Sequence, residues 1–206
     1  MGVKYWNHPA QMITFLTKVN EETSTTQIFT DGSKLEQGVG AGIVIFNSGN
    51  LINSLKYKLN KRCTNNQTEQ LAILRALEFT ENIETEDKTA TIYTDSRMTL
   101  DSHKNSNIHT YLIGEIRRKV EEMGEINWNM KYCWVKAHVV VQGNEIADTL
   151  AKEAATNVDI IECYKKVPKS VVISELGGIS IEKWQKEMDQ TTKGAITKEY
   201  FPVAAE

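Results

Sequence analysis

Two short segments of this chain are near copies of each other: Ile28-Phe29-Thr30-Asp31-Gly32-Ser33 and Ile92-Tyr93-Thr94-Asp95-Ser96. Each reads as a β-strand that runs straight into a carboxylate. Residues two apart in a strand share a face, so Phe29 with Asp31, and Tyr93 with Asp95, send an aromatic ring and an anion to the same side. If the two strands lie side by side and parallel, both aspartates reach the crevice at the strands' carboxyl ends, where open α/β sheets bind ligands. Two anions placed so closely repel each other and call for a cation.

The residues around this pair supply the rest of one α/β domain. Gln27 to Thr30, Val39 to Phe46 and Leu51 to Leu59 are three consecutive strands, separated by turn residues such as Asn47-Ser48-Gly49-Asn50, and predict an antiparallel meander. The period then lengthens. From Asn66 to about Ile83 there is neither proline nor glycine, and Glu69, Ala72, Ile73 and Ala76 fall on one helical face. That stripe is apolar apart from Glu69, and a buried carboxylate needs a partner or a metal.

After the strand ending at Asp95 come a short helix at Met98 to His103 and a longer one at Thr110 to Met123, with Gly124 placed to end it. A fifth strand alternates through Trp128, Met130, Tyr132 and Trp134, and a helix follows from Asn144 to Thr156. The expectation is a mixed five-stranded sheet, an antiparallel meander plus parallel strands, flanked by helices over residues 24–157. Residues 1–23 read as a lead-in with a short amphipathic helix (Met12, Phe15, Leu16, Val19). Residues 158–206 read as an extension, with a short strand or loop at Val171 to Ile173 and a serine-capped helix at Ser180 to Thr191.

Composition narrows the function. With 206 residues, 40% hydrophobic and 25% charged, the chain can bury a full core, and a formal net charge of −3 gives no global attraction to polyanions. Nucleic-acid contact would have to come from local clusters, of which there are three: Lys56, Lys58, Lys61 and Arg62; Arg117, Arg118 and Lys119; and Lys165, Lys166 and Lys169. Each cluster taken alone reads as a solvated face. Cys63, Cys133 and Cys163 have neither zinc nor disulfide spacing, which suits a reducing compartment. No signal core or membrane-length apolar run is visible, so the expected location is intracellular, in cytoplasm or nucleus, without membrane partners.

Four carboxylates converge in this reading: Asp31 and Asp95 at strand ends, Glu69 on a buried helix face, and Asp148 on a helix whose Ala147, Ala151 and Ala155 permit close approach to the sheet. Carboxylate-only ligation suits Mg²⁺, with Mn²⁺ as the alternative, and two such ions roughly 3.5–4 Å apart can assist phosphodiester hydrolysis. No organic cofactor is called for.

The same residues resemble the type 1 ribonucleases H, particularly the ribonuclease H domains attached to reverse transcriptases of non-LTR retrotransposons. The matching pieces stand in family order: FTDGS (Phe29 to Ser33), TNNQTE (Thr64 to Glu69) with LAILRALE after it, YTDSR (Tyr93 to Arg97), and WVKAH (Trp134 to His138) leading into GNEIADTLAKEA (Gly143 to Ala154). The resemblance implies hydrolysis of the RNA strand of RNA/DNA hybrids, with Asp31, Glu69, Asp95 and Asp148 as ligands of two metal ions and His138 handling a proton or product release from a loop. It also implies contact with RNA 2′-hydroxyls by Gly32, Ser33, Asn65, Asn66 and Arg97, and a reverse transcriptase domain as a partner in one polyprotein. Asn65 and Asn66 have a competing task as caps of the Glu69 helix.

Two features depart from the family. Val140 stands where a glycine is common and would stiffen the His138 loop, and no extra basic helix lies between Asp95 and Trp134, so hybrid affinity of the isolated chain is expected to be weak. The rival readings are a DNA-directed, integrase-like nuclease of the same broad fold, and a non-catalytic connection domain. The paired asparagines and the GNE helix argue against the first, and the retained acids against the second.

Overall fold

Turn chemistry sets the antiparallel meander. In the computed structural model, which describes residues 14–16, 24–136 and 142–191, β2 (Thr26–Lys34) and β3 (Val39–Asn47) pair antiparallel through a tight hairpin, with Leu35 and Gly38 exchanging backbone hydrogen bonds at 2.9 and 3.3 Å. β3 turns into β4 (Asn50–Leu59) at Ser48-Gly49, both with positive φ (50° and 78°), the twist that matches a two-residue hairpin. The parallel half follows. β5 (Thr89–Thr94) lies beside β2, and β6 (Asn129–Trp134) beside β5.

The sheet is wider than the sequence suggests. A three-residue strand from each flank joins it, β1 (Thr14–Leu16) and β7 (Glu162–Tyr164), giving seven strands among the described residues in the order β1-β6-β5-β2-β3-β4-β7. β1 pairs parallel with β6, so the lead-in contributes a strand at this point rather than the expected helix. Its helical spacing is outweighed by the open edge that β6 offers to main-chain pairing. β7 pairs parallel with β4 and buries Tyr164.

Alternation along the strands sorts the interior into two layers. Ile28, Ile92 and Tyr132 are register partners on one face, packed with Leu71, Ile73 and Leu77 of α1 (Asn65–Thr80), Leu100 of α2 (Arg97–Lys104), and Leu112, Ile113 and Ile116 of α3 (Tyr111–Glu125). Phe29, Tyr93 and Cys133 are partners on the other face, with Val44 and with Ala147 of α4 (Gln142–Thr156).

The seam under α4 is made of small residues on both sides. A Cβ on Gly38, Gly40 or Gly42 would lie 2.3, 2.3 and 2.1 Å from the carbonyl oxygens of Ala155, Ala151 and Ala147. Two strand residues advance about 6.8 Å and four helical residues about 6.0 Å, so the glycine and alanine periods keep step. The alanines noted in the sequence do permit the approach, and the glycines are the other half of it.

Three local expectations are corrected. Gly124 lies inside α3, which ends at Glu125, and Asn127 takes the left-handed φ (68°) that turns the chain. Arg117, read as part of a solvated basic cluster, is buried and donates to the carbonyls of Ser102, His103, Asn105 and Ile108 at 2.7–3.2 Å, tying down the end of α2 and the following loop. Its neighbours Arg118 and Lys119 pair with Glu115, Glu122 and Glu81.

The third correction lies in the second of the two compact units into which the chain divides, Met1–Lys165 and Lys166–Glu206. There α5 (Lys169–Gln190) is a single helix running through Gly177-Gly178. Ser180 bonds back to the Leu176 carbonyl instead of capping a new helix, and Val171 to Ile173 is helical.

Candidate functional site

The register of β2 and β5 brings the repeated segments together: Phe29 pairs with Tyr93 and Thr30 with Thr94, so Asp31 and Asp95 follow where this parallel pairing stops. Asp95 lies just past the end of β5 as expected, whereas β2 does not end at Asp31 but runs on to Lys34, because its pairing with β3 continues. The rings beneath them stack, with centroids 4.8 Å apart and planes 15° from parallel. The third carboxylate comes from α1. Thr64 caps that helix in a reciprocal capping box with Gln67, which leaves Asn65 and Asn66 without the capping task considered for them. α1 can reach the strand end because residue 32 is glycine: a Cβ there would lie 2.3 Å from Thr68 Oγ1 and 2.9 Å from the Glu69 backbone nitrogen.

Asp31, Glu69 and Asp95 each present a carboxylate oxygen within 4.8 Å of the other two. Asp31 and Glu69 are only 7% and 3% exposed, while Asp95 is half-buried. The electrostatic cost appears in their protonation. Burial first, then the charges of Asp95 and Asp148, push Asp31 up to about 7, against a pull downward from the Gly32 N–H that donates to its Oδ1 at 2.7 Å. Burial likewise raises Glu69 well above the usual carboxylate range, with Asp31 and Asp95 adding to it. Glu69 Oε2 is buried without a hydrogen-bond partner. An orphaned, buried carboxylate oxygen in an all-oxygen cluster is the donor set a hard divalent cation takes, so these residues fit such an ion.

Asp148 shares the cleft but stands outside this trio. The cleft, of about 580 Å³, is lined by Asp31, Gly32, Asn65, Glu69, Asp95, Ser96, Asn144, Glu145 and Asp148. Asp148 pairs with Lys152 one helical turn along, at 2.6 Å, and both its charge and a side-chain hydrogen bond with Asp31 contribute to raising Asp31. α4 is seated over the strand ends by Gly143, where a Cβ would lie 2.3 Å from the Phe29 ring.

Of the expected substrate-contacting residues, Gly32 and Asn65 line the cleft. Asn66 accepts a hydrogen bond from Thr99 Oγ1 at 3.2 Å, linking α1 to α2. Ser33 is buried in β2, and Arg97 is exposed at the start of α2, 3.9 Å from Asp101. His138 and Val140 lie outside the described residues.

Three lining residues escaped the sequence reading. Ser96 immediately follows the TDS aspartate, and Asn144 and Glu145 precede Asp148 by four and three residues, which puts them on its face of α4. That spacing was the available signal.

Fold and acidic cluster together define an α/β protein with a carboxylate site where the parallel pairing of two neighbouring strands stops. Residues 23–156 match the RNase H family, and the chain belongs to it. Among solved structures it is similar to an RNase H1 isolated from compost by a metagenomic approach (22% identity, 64% of this chain and 96% of that chain, TM-score 0.51). It is similar also to the N-terminal RNase H domain of Rv2228c from Mycobacterium tuberculosis (18% identity, 62% and 96%, TM-score 0.50). No curated protein matches it by sequence. Among the described residues, no helix is long and apolar enough to cross a membrane.

Proposed function

We propose that this chain is a divalent-metal-dependent endonuclease that hydrolyses the RNA strand of RNA/DNA hybrids. The observation that carries the reading is the trio Asp31, Glu69 and Asp95, close enough to share ions and holding a buried carboxylate oxygen with no other partner. These three, with Asp148, would hold two Mg²⁺ ions, which supply an activated water and charge stabilisation at a phosphodiester. The protein's own part is preorganisation. Stacked rings, the Gly32 contact with α1 and the glycine–alanine seam hold carboxylates against their mutual repulsion. In the reaction a water oxygen bonds to phosphorus, the bond to the departing sugar oxygen breaks, and that oxygen takes up a proton. His138 is the group we assign to that proton or to product release.

Recognition of the RNA strand is assigned to Gly32, Ser33, Asn65, Asn66 and Arg97, since only RNA offers a 2′-hydroxyl beside the scissile bond. Ser33 acts in this reading through its backbone, because its side chain is buried. The motif resemblance supports a further step, that the domain works beside a reverse transcriptase in a retroelement polyprotein.

The test is hydrolysis of hybrid, duplex RNA and duplex DNA of one sequence, each with Mg²⁺ and with chelator. Cleavage confined to the RNA of the hybrid and abolished by chelator is expected. Cleavage of duplex DNA would favour an integrase-like nuclease, and Mg²⁺ binding without any cleavage would make this a non-catalytic member of the fold.

A further inference from the structure

Trp134 is the last residue of β6, 43% exposed, yet the polar end of its ring is committed: Nε1 donates to the main-chain carbonyl of Asp95 at 3.0 Å. Asp95 lies one residue beyond the last β5–β6 pair, Thr94 with Trp134, so the ladder itself does not fix its carbonyl. The same oxygen accepts the Arg97 N–H at 2.9 Å, and Ser96 N–H donates to Thr94 Oγ1 at 3.2 Å. The turn that carries Asp95 is thereby held to two neighbours. One is its own α2, and the other is the β6 side, where the Val135 N–H holds the Thr94 carbonyl at 3.0 Å and the Trp134 indole reaches the next carbonyl, that of Asp95.

We propose that Trp134 is a positioning residue for the acidic cluster: its indole N–H fixes the Asp95 turn against carboxylate repulsion and so sets affinity for the divalent cation. Asp95 is the least buried of the three acids, and β6 and α2 flank its turn, so it is the member whose backbone has the most to gain from an outside anchor. A tryptophan kept for burial would place its ring in the core, as Trp128, 4% exposed, does. Trp134 instead leaves much of its ring in solvent and spends its N–H on a backbone oxygen beside the site. The inference rests on the metal-site reading proposed above.

The experiment removes the donor and keeps the ring, as Trp134→Phe and, for an isosteric change, β-(3-benzothienyl)alanine at position 134, in which sulfur replaces the N–H. Mg²⁺ and Mn²⁺ binding is measured by calorimetry without nucleic acid, alongside the Mg²⁺ midpoint of hybrid cleavage, kcat and KM at saturating metal, and Tm in chelator. Loss of one neutral hydrogen bond of ordinary strength corresponds to about a 2–10-fold change in an equilibrium. The expected result is a metal Kd and a Mg²⁺ midpoint raised about 2–10-fold in both variants, with hybrid KM at saturating metal unchanged. If wild type binds metal and both variants bind it equally well, Trp134 has no positioning role. A lowered Tm with unchanged metal affinity would make it merely structural and also overturn the proposal. If wild type itself binds no Mg²⁺ or Mn²⁺, the metal-site reading fails first.

Discussion

Replacing Asp31 with asparagine should stabilise the metal-free protein, by an amount that depends on pH in a definite direction. Asp31 in the fold titrates near 7 instead of 3.8, chiefly through burial. Between those values the folded state keeps a proton that the unfolded chain has lost, so stability falls as pH rises through the window, and the loss is complete above about pH 7. The shift corresponds to about 4 kcal/mol at most, at about 1.36 kcal/mol per pKa unit. Side-chain relaxation and water in the open cleft would bring this nearer 2 kcal/mol. For a chain of this length about 2–4 °C of Tm accompanies each kcal/mol, so Asp31→Asn should melt about 4–8 °C above wild type at pH 8 in chelator. At pH 4, where wild-type Asp31 is largely protonated, the two should nearly coincide, since asparagine retains an acceptor for the Gly32 N–H. Mg²⁺ should then raise the wild-type Tm more than the variant's and narrow the gap, while cleavage is nearly abolished in the variant. Thermal melts followed by circular dichroism at pH 4, 6 and 8, with chelator and with Mg²⁺, provide the comparison. A variant less stable than wild type at pH 8 in chelator, or a gap that does not grow with pH, would refute the argument from repulsion and burial.

The remaining predictions concern the scaffold. Gly42→Ala places a Cβ 2.1 Å from the Ala147 carbonyl oxygen and 2.7 Å from the Ala151 nitrogen, both backbone, so α4 must retreat by roughly 1 Å or more. Overpacking of this kind costs about 1–3 kcal/mol, and because Asp148 rides on α4 the cleavage rate should fall with the Tm; an unchanged Tm would mean that the seam is looser than its distances imply. Arg117→Met should cost about 3 kcal/mol, since the buried carbonyls of Ser102 and His103 and the part-buried ones of Asn105 and Ile108 lose their donor together, and hydrogen exchange should accelerate first at Asn105 to Ile108. His103, buried against the Tyr132 ring with centroids 5.3 Å apart, neither ring nitrogen hydrogen-bonded, is depressed to about 3 by burial and then by the charge of Arg117. The unfolded chain therefore takes up a proton that the folded state refuses, and stability is lost as pH falls from about 6.5 toward 3; His103→Phe should flatten that acid limb in melts from pH 3 to 7, and an unaltered limb would exclude this histidine as its source.

What could be read from the sequence follows from where the determining interactions lie. Asp31 and Asp95 were legible because the strand period, two residues, is short enough for a single segment to show which face its carboxylate takes, and the repeated segment aligned both in register. Glu69 was legible because it interrupts an otherwise apolar stripe, and its orphaned oxygen is the cost that such an interruption predicts. The edge strands β1 and β7 were not legible: three residues carry no period, and what recruits them is the open main chain of β6 and β4, a property of the finished sheet. Arg117 was misread for a similar reason. Its letters match its neighbours Arg118 and Lys119, and only the packing of α3 against the end of α2 turns one of the three inward. The glycines of β3 lie between these cases. Taken alone they weaken a strand, and taken with Ala147, Ala151 and Ala155 they identify the two surfaces that meet, a pairing visible only when residues more than a hundred positions apart are read together. Asn144, Glu145 and Trp134 belong with them, since each is ordinary in its own segment and only the folded chain sets it beside the acids of the cleft.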